Sequence, residues 1–203
     1  MTTTPRYTWG FIGPTADGSS SLQTIQPQPL LPPDVVQLTR GIGISDYTTE
    51  GVEEAFTRYW ACAEELVKQG ARSLTLGGVP ISSQLGRDRV LRLIEETKGR
   101  TGVPGDSTNE AIIAALQRLG VTRLAVASRW ADQLNQALVN YLAHAGITVA
   151  SITTEGQWAK EAFAMNIEQG IVLAVRLGRR AMKEAPDAQA LLLPGGTWRS
   201  LTA

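Results

Sequence analysis

The stretch that decides the fold is KQGARSLTLGGVP, residues 68–80, which reads as a helix end, a buried strand and a tight loop in direct succession. Gly70 stops the helix, because glycine tolerates the left-handed conformation in which helices commonly end. The segment Arg72–Leu76 is a short apolar run typical of a buried strand. The residues that follow, Gly77, Gly78 and Pro80, predict a turn into the next element.

The same alternation of short apolar runs and helical periods continues along the chain. Apolar residues at three- and four-residue spacing predict a helix from Val52 to Val67, and Asp106–Asn109 predicts the start of a helix that runs to about Leu119. The other predicted strands are Tyr7–Ile12, Val35–Ile44, Arg123–Ala127, Ile147–Ile152 and Ala190–Leu193, and the other predicted helices are Gly86–Glu96, Asp132–Ala145 and Lys160–Lys183. This alternation indicates an α/β fold with parallel strands covered by helices on both faces.

Composition and charge exclude several function classes. The 203 residues include 19 basic and 19 acidic side chains, so no net field attracts nucleic acid or anionic lipid. A single cysteine, Cys62, cannot form an intrachain disulfide, and no apolar run approaches the length that spans a membrane. The first six residues lack the apolar core of a signal peptide. We therefore expect a cytoplasmic protein that binds neither nucleic acid nor membranes.

Four strand-to-helix loops are the places to look for a binding site, because ligands of parallel α/β sheets bind beyond the carboxyl ends of the strands. The loops are Gly13–Thr15, Gly77–Pro80, Asp106–Asn109 and Pro194–Trp198. Glycine lets backbone N–H groups approach a ligand closely, and small anions are the ligands that such groups favour. The geometry of the turn can by itself explain a glycine at such a position. The sequence lacks the glycine spacings that are typical of phosphate-binding and dinucleotide-binding loops.

Few side chains are candidates for acid–base chemistry. Asp106 is the first, because a partly buried carboxyl group at a strand-to-helix junction can have a raised pKa, although a helix cap explains the residue as well. Arg129 could bind a carboxylate through two parallel hydrogen bonds, but a surface pair with Asp132 at a helix start is the favoured interpretation. His144 is at a position typical of a helix C-terminus, and Cys62 is at a position typical of a packing residue. One histidine and one cysteine are too few to form a zinc site of those ligands.

In their order and in their residues these segments resemble the aspartate/glutamate racemase superfamily, and within it the arylmalonate decarboxylase and maleate isomerase branch. The resemblance covers nearly the whole chain. It is carried by the segments Trp9–Pro14, Thr48–Gly51, Lys68–Ala71, Leu74–Gly78, Thr101–Pro104, Leu119–Ala127, Ala185–Asp187 and Leu191–Gly196.

The resemblance implies two pseudo-symmetric α/β lobes, 1–110 and 111–203, with helices exchanged between them and a pocket between the lobes. Family members form a carbanion or enediolate next to a carboxylate and reprotonate it, without a metal or an organic cofactor. The racemases and isomerases use one cysteine from each lobe, and the decarboxylases keep only the second. Here Gly78 falls at the first position and Gly195 at the second, or Pro194 after a shift of one residue, so both thiols are missing.

The resemblance also implies that these loops hold the substrate carboxylate. Backbone amides of the two glycine-rich loops and the hydroxyls of Ser107 and Thr108 would form an oxyanion-type site, while Pro80 subtracts one N–H donor. Two indoles, those of Trp130 and Trp198, would suit an aromatic substrate. The predicted substrate-binding residues are Pro14, Gly77, Gly78, Val79, Ser107, Thr108, Trp130, Gly195, Gly196 and Thr197, and the predicted catalytic residue is Asp106.

The end of the chain departs from the family, whose members continue through another helix, strand and helix. The sequence stops at Ala203, so we expect missing C-terminal elements, which implies truncation, completion by another subunit of a homo-oligomer, or an open pocket. The leading hypothesis is a cysteine-free, cofactor-independent lyase or isomerase of a small carboxylic acid. The alternative is a non-catalytic carboxylate-binding protein, and a structural subunit of an oligomer is a third possibility.

Overall fold

A computed structural model describes residues 5–15, 30–158, 161 and 164–195. The chain divides into two compact units, Met1–Thr108 and Asn109–Ala203. The strands are β1 Tyr7–Gly13, β2 Val35–Gly41, β3 Ser73–Leu76, β4 Gly105–Ser107, β5 Arg123–Trp130, β6 Thr148–Gln157 and β7 Ala190–Leu192, and the helices are α1 Thr49–Phe56, α2 Tyr59–Lys68, α3 Val79–Leu85, α4 Arg87–Thr101, α5 Thr108–Arg118, α6 Asp132–Ala143 and α7 Ile167–Glu184.

The first unit is built on a parallel sheet of four described strands in the order β2-β1-β3-β4. Helix α2 packs against β1 and β2, and α4 packs against β4. The central strands contribute fully buried side chains, among them Ile12, Leu74 and Leu76. Because all four strands are parallel, their carboxyl ends lie along one edge of the sheet.

The second unit has a parallel sheet of three described strands in the order β6-β5-β7. Strand β5 lies in the middle and is buried from Leu124 to Trp130 on both faces. Ala125 and Ala127 pack against α7 through Leu173 and Leu177, and α6 packs against β5 and β6. Small residues on β5 let α7 approach the sheet closely, which completes a core of sheet and flanking helices.

The fold class predicted from the sequence is confirmed: the chain is an α/β protein with parallel sheets flanked by helices. Several element bounds differ from the prediction. The helix expected between Val52 and Val67 is interrupted at Thr57 and Arg58, and β5 and β6 extend well beyond the predicted ends at Ala127 and Ile152. Pairing between β5 and β6 supplies the added length, since ladder hydrogen bonds override local sequence preference.

No helix within the described ranges is long and apolar enough to cross a membrane. The Gly/Ser/Gln/Pro-rich passage between β1 and β2 lies largely at 16–29, outside the described residues.

Candidate functional site

Six of the predicted substrate-binding residues lie at or just after strand ends at the carboxyl edge of the first sheet: Pro14, Gly77, Gly78, Val79, Ser107 and Thr108. Hydrogen bonds tie these strand ends together. The amide of Gly77 donates to the carbonyl of Ile12 at 2.8 Å, and the hydroxyl of Thr108 donates to the carbonyl of Leu76 at 3.4 Å. The amide of Ile44 donates to the carbonyl of Pro14 at 2.8 Å. The chain therefore holds these loops at one sheet edge, where a role in binding stays a prediction.

The two glycines after β3 are required for different reasons. A Cβ atom at Gly77 would lie 2.1 Å from Cζ of the Phe11 ring, so only glycine fits beneath that ring. Gly78 has a φ angle of 96°, a conformation that other residues rarely adopt, and it leads directly into α3. Its carbonyl accepts the amides of Ile81 and Ser82 at 3.1 and 3.2 Å, which closes the first turn of that helix. Steric fit thus explains this loop before any ligand is considered.

Asp106 lies inside β4, paired in register with Thr75, and not at the helix cap that the sequence suggested. Its carboxylate accepts the amide of Ser107 at 2.7 Å, and its side chain is exposed. The partial burial of Asp106 predicted from the sequence is therefore wrong, because strand pairing turns Asp106 outward while Ser107 is fully buried. The catalytic role of Asp106 stays a prediction.

The carboxyl edge of the second sheet is formed by the end of β5, where an arginine and a tryptophan are both buried. Arg129 has no exposed surface and Trp130 is 4% exposed. The guanidinium carbon of Arg129 lies 4.6 Å from the centroid of the Trp130 ring. The favoured sequence interpretation of Arg129, a surface ion pair at a helix start, is wrong, since β5 continues through this residue into the core.

The strand pairing is irregular beside these two side chains. Consecutive strand residues normally point to opposite faces. Ser128 pairs with Thr154 and Trp130 pairs with Gln157, so an advance of two residues along β5 matches an advance of three residues along β6. The extra residue is accommodated by Gly156, with a φ angle of 74°. Such bulges redirect side chains and are common beside active sites.

A set of buried hydrogen bonds fixes the backbone at Trp130. The side-chain amide of Asn135 donates to the Trp130 carbonyl at 2.7 Å and to the Thr154 hydroxyl at 3.3 Å. Thr154 also donates to the same carbonyl. On the other side, the Trp130 amide donates to the Ser128 hydroxyl at 3.1 Å. The end of β5 is thereby held in one conformation by groups from α6 and β6.

The second glycine-rich loop is described only in part. Pro194 is buried, and Gly195 has a φ angle of 106°. The predicted binding residues Gly196 and Thr197, together with Trp198, lie outside the described residues.

The remaining candidates take structural positions. Cys62 lies on α2, its thiol donates to the carbonyl of Gly41 at 3.6 Å, and burial together with nearby Glu65 raises the thiol pKa. The thiolate form that acts as a nucleophile is thus disfavoured. His144 is exposed at the C-cap of α6, at the opposite end of that helix from the carboxyl edge of β5. Within the described ranges, no group of three acidic, His or Cys side chains is placed to hold a metal ion.

The sequence predicts no role for Asn135 or Thr154, and it predicts a surface position for Arg129. The available signal was the apolar run Leu124–Ala127, which extends through small Ser128 to a tryptophan and so allows a longer buried strand. For Asn135 and Thr154 no local signal exists, because their roles depend on a contact between α6 and β6.

Comparison with known proteins gives consistent matches. A sequence profile of the arylmalonate decarboxylase family matches residues 9–203. An arylmalonate decarboxylase from Bordetella bronchiseptica is 30% identical over 171 residues, which cover 84% of this chain and 70% of that protein.

Solved structures point the same way. A liganded variant of arylmalonate decarboxylase, with one glycine replaced by cysteine and one cysteine by serine, aligns with a TM-score of 0.82 at 28% identity, covering 93% of this chain and 77% of that chain. A maleate isomerase from Pseudomonas putida with maleate aligns with a TM-score of 0.77 over 97% of this chain and 81% of that chain. At 19% identity, the second match supports the fold alone.

Proposed function

This chain belongs to the arylmalonate decarboxylase family, and from that premise we propose that it is a cofactor-independent lyase or isomerase of small carboxylic acids. The reaction passes through a carbanion or enediolate next to a retained carboxylate. Membership of an enzyme family carries the proposal. The family match spans both units and therefore includes both sheets and the loops that follow their strands.

The chemistry for an arylmalonate balances without a redox partner. The bond between the α-carbon and one carboxylate breaks, its electron pair stays on the α-carbon, and CO₂ leaves. The remaining carboxylate and α-carbon share the charge as an enediolate. One proton added to the α-carbon then gives the arylacetate. The protein has to stabilise the enediolate oxygens and supply that proton.

Support for oxyanion binding comes from the loop chemistry of the first unit. The Gly77-Gly78-Val79 loop and the hydroxyl residues Ser107 and Thr108 follow neighbouring strands of one parallel sheet. Preorganised backbone and hydroxyl donors at such an edge suit an oxygen that gains charge during the reaction.

The proton donor we propose is Asp106, because neither glycine-rich loop contains a thiol and Cys62 is held by its contact with Gly41. The alternative function, a carboxylate-binding protein without turnover, is favoured by the same observation. The single cysteine, Cys62, lies on a helix, so it does not replace the thiols that the family carries in the glycine-rich loops.

Incubation with phenylmalonate, malonate and maleate separates the two functions. Product formation is followed by proton NMR, and binding is followed by the shift in melting temperature, with phenylmalonamide as a neutral control. Turnover of an acid with no effect of the diamide supports the lyase or isomerase. Stabilisation by an acid without turnover supports the binding protein, and no response to any acid contradicts both.

A further inference from the structure

The outer face of α7, the long helix of the second unit, carries several apolar side chains. The inner face of this helix packs on the sheet through Leu173 and Leu177. The outer face of such a helix is normally polar. Here Ile167, Val172 and Met182 are 44%, 67% and 55% exposed, and they are three of the seven large apolar side chains that are exposed within the described ranges. Apolar residues gathered on one exposed face are typical of an interaction surface.

The outward positions of α7 follow the spacing of a helix-pairing seam. At intervals of four, three, four and three residues lie Glu168, Val172, Val175, Arg179 and Met182, which we call the α7 seam. Val175 is partly buried and the other four are exposed. A repeat that averages 3.5 residues is the pattern with which two helices pack side by side. Val172, Val175 and Arg179 also line a groove of about 580 Å³ along the helix.

Charge is distributed unevenly along the same face. Glu168 lies in the first turn of α7, and four cations lie in its second half. Two of these cations, Arg176 and Arg180, form ion pairs with glutamates of the same unit. Among the residues that the structure describes, Arg179 and Lys183 have no such partner. The face therefore has an acid at its amino end, unpaired cations toward its carboxyl end, and valines in between.

A second copy of α7 in the antiparallel direction matches this distribution. Glu168 lies seven residues before Val175, and Lys183 lies eight residues after it. If two copies cross near Val175, equal distances of about 10 to 12 Å along each helix bring Glu168 of one copy beside Lys183 of the other. Val172 then packs against the aliphatic stem of Arg179 from the second copy. A parallel pair would place like charges together, so the charges favour the antiparallel arrangement.

We propose that two copies of this chain associate through the α7 seam, antiparallel about a two-fold axis near Val175. A two-fold axis uses the same surface on both copies and closes the assembly at two chains. The valines and Met182 supply apolar burial, and the opposite charges set the direction. One pair of helices is a small interface, so we expect a dissociation constant on the order of 1–100 µM.

Sedimentation equilibrium tests the association at protein concentrations from about 1 to 500 µM, which bracket the expected dissociation constant. The wild type should fit a monomer–dimer equilibrium. Val172→Asp should weaken the dimer by about 10-fold or more, because each copy then brings an unpaired carboxylate into the seam. The control is Leu119→Asp, which changes an apolar residue that is 74% exposed outside the seam and should leave the association unchanged.

A charge exchange tests the antiparallel direction. Glu168→Lys and Lys183→Glu should each weaken the dimer about 3- to 10-fold, because each variant places like charges beside one another in two symmetric contacts. The double variant with both changes should return to an affinity close to that of the wild type, because it restores opposite charges. Recovery in the double variant is specific to contact between these two positions.

Three results would overturn the inference. The first is a wild type that stays monomeric over the whole concentration range. The second is a folded Val172→Asp variant that associates as tightly as the wild type. The third is a double charge variant that associates no better than the single variants. Circular dichroism establishes folding, and the charge exchange at exposed positions decides if Val172→Asp does not fold.

Discussion

The carboxyl edges of the two sheets carry different chemistry on the same parallel design. In the first unit the edge consists of glycine, proline and short side chains, and steric fit beneath Phe11 determines the residue at Gly77. In the second unit β5 ends in a buried guanidinium stacked on an indole, supported by Asn135 and Thr154. One edge relies on backbone geometry and the other on a positioned charge. We therefore expect substitutions at the two edges to fail in different ways.

The largest effect should follow Asp106→Asn, which removes the proposed proton donor at the first edge. Turnover of phenylmalonate should fall about 100-fold or more, the range typical of general acid catalysis, while phenylacetate affinity stays close to that of the wild type. Because Asp106 is exposed, the change should leave the fold intact. Glu96→Gln, an exposed carboxylate on α4, is the control. Equal turnover in both variants would remove Asp106 from the mechanism.

Gly77→Ala should destabilise the first edge through steric overlap. The added Cβ meets three Phe11 ring atoms at 2.1 to 2.8 Å, and the buried ring packs edge-on against Trp9, so moving it has a cost. We expect a loss of about 2–3 kcal/mol in the free energy of unfolding, measured in urea. The matched control is Gly99→Ala in α4, where an added Cβ would meet no atom within 4 Å apart from its own stretch of helix. The free energy of unfolding should rise there by about 0.5–1 kcal/mol, because alanine favours the helix more than glycine does. Equal effects at both sites would contradict the steric account.

Asn135→Ala should loosen the second edge and spare the first. The Trp130 carbonyl loses one donor but keeps Thr154, so we expect about 1 kcal/mol of destabilisation. Trp130 should become more mobile, which lowers its near-ultraviolet circular dichroism and weakens phenylacetate binding. Gln136→Ala changes an exposed neighbour on the same helix and should do neither. A variant that binds like the wild type would show that the Asn135 contact does not position this edge.

The smallest effect concerns Arg123, at the amino end of β5. Its hydrogen bond with Asp187 lowers the pKa of that carboxyl group, so the pair contributes stability above the ordinary aspartate pKa of about 4 and loses it as the pH falls through the lower folded-state pKa. Both partners are in contact with solvent, so the contribution is small. Arg123→Met should raise the Asp187 pKa in an NMR titration. An unchanged pKa would contradict the ion pair.

Sequence alone predicted the parts of the fold that depend on local pattern. The apolar run after Gly70 is a strand, and the glycines after Leu76 form a turn, as the sequence predicted. Both depend on local properties, namely the spacing of apolar residues and the conformations that glycine allows. The confirmed fold class and family follow from the same ordered segments.

The errors arose where pairing between distant segments decides the outcome. Asp106 has the composition of a helix cap, but its pairing with Thr75 places it in a strand with its carboxylate outward. Arg129 precedes a helix start and looks like a surface residue, yet β5 extends along β6 and buries it. Neither pairing is visible in a local window, since each joins segments far apart in the chain.

The most direct test of the central claim is decarboxylation of phenylmalonate in D₂O, followed by proton NMR with the wild type and with no protein. The account predicts phenylacetate formed faster with protein, carrying one deuterium at the α-carbon, as expected when an enediolate is protonated from solvent-exchanged groups. A rate equal to that without protein, at phenylmalonate concentrations that saturate binding, would contradict it.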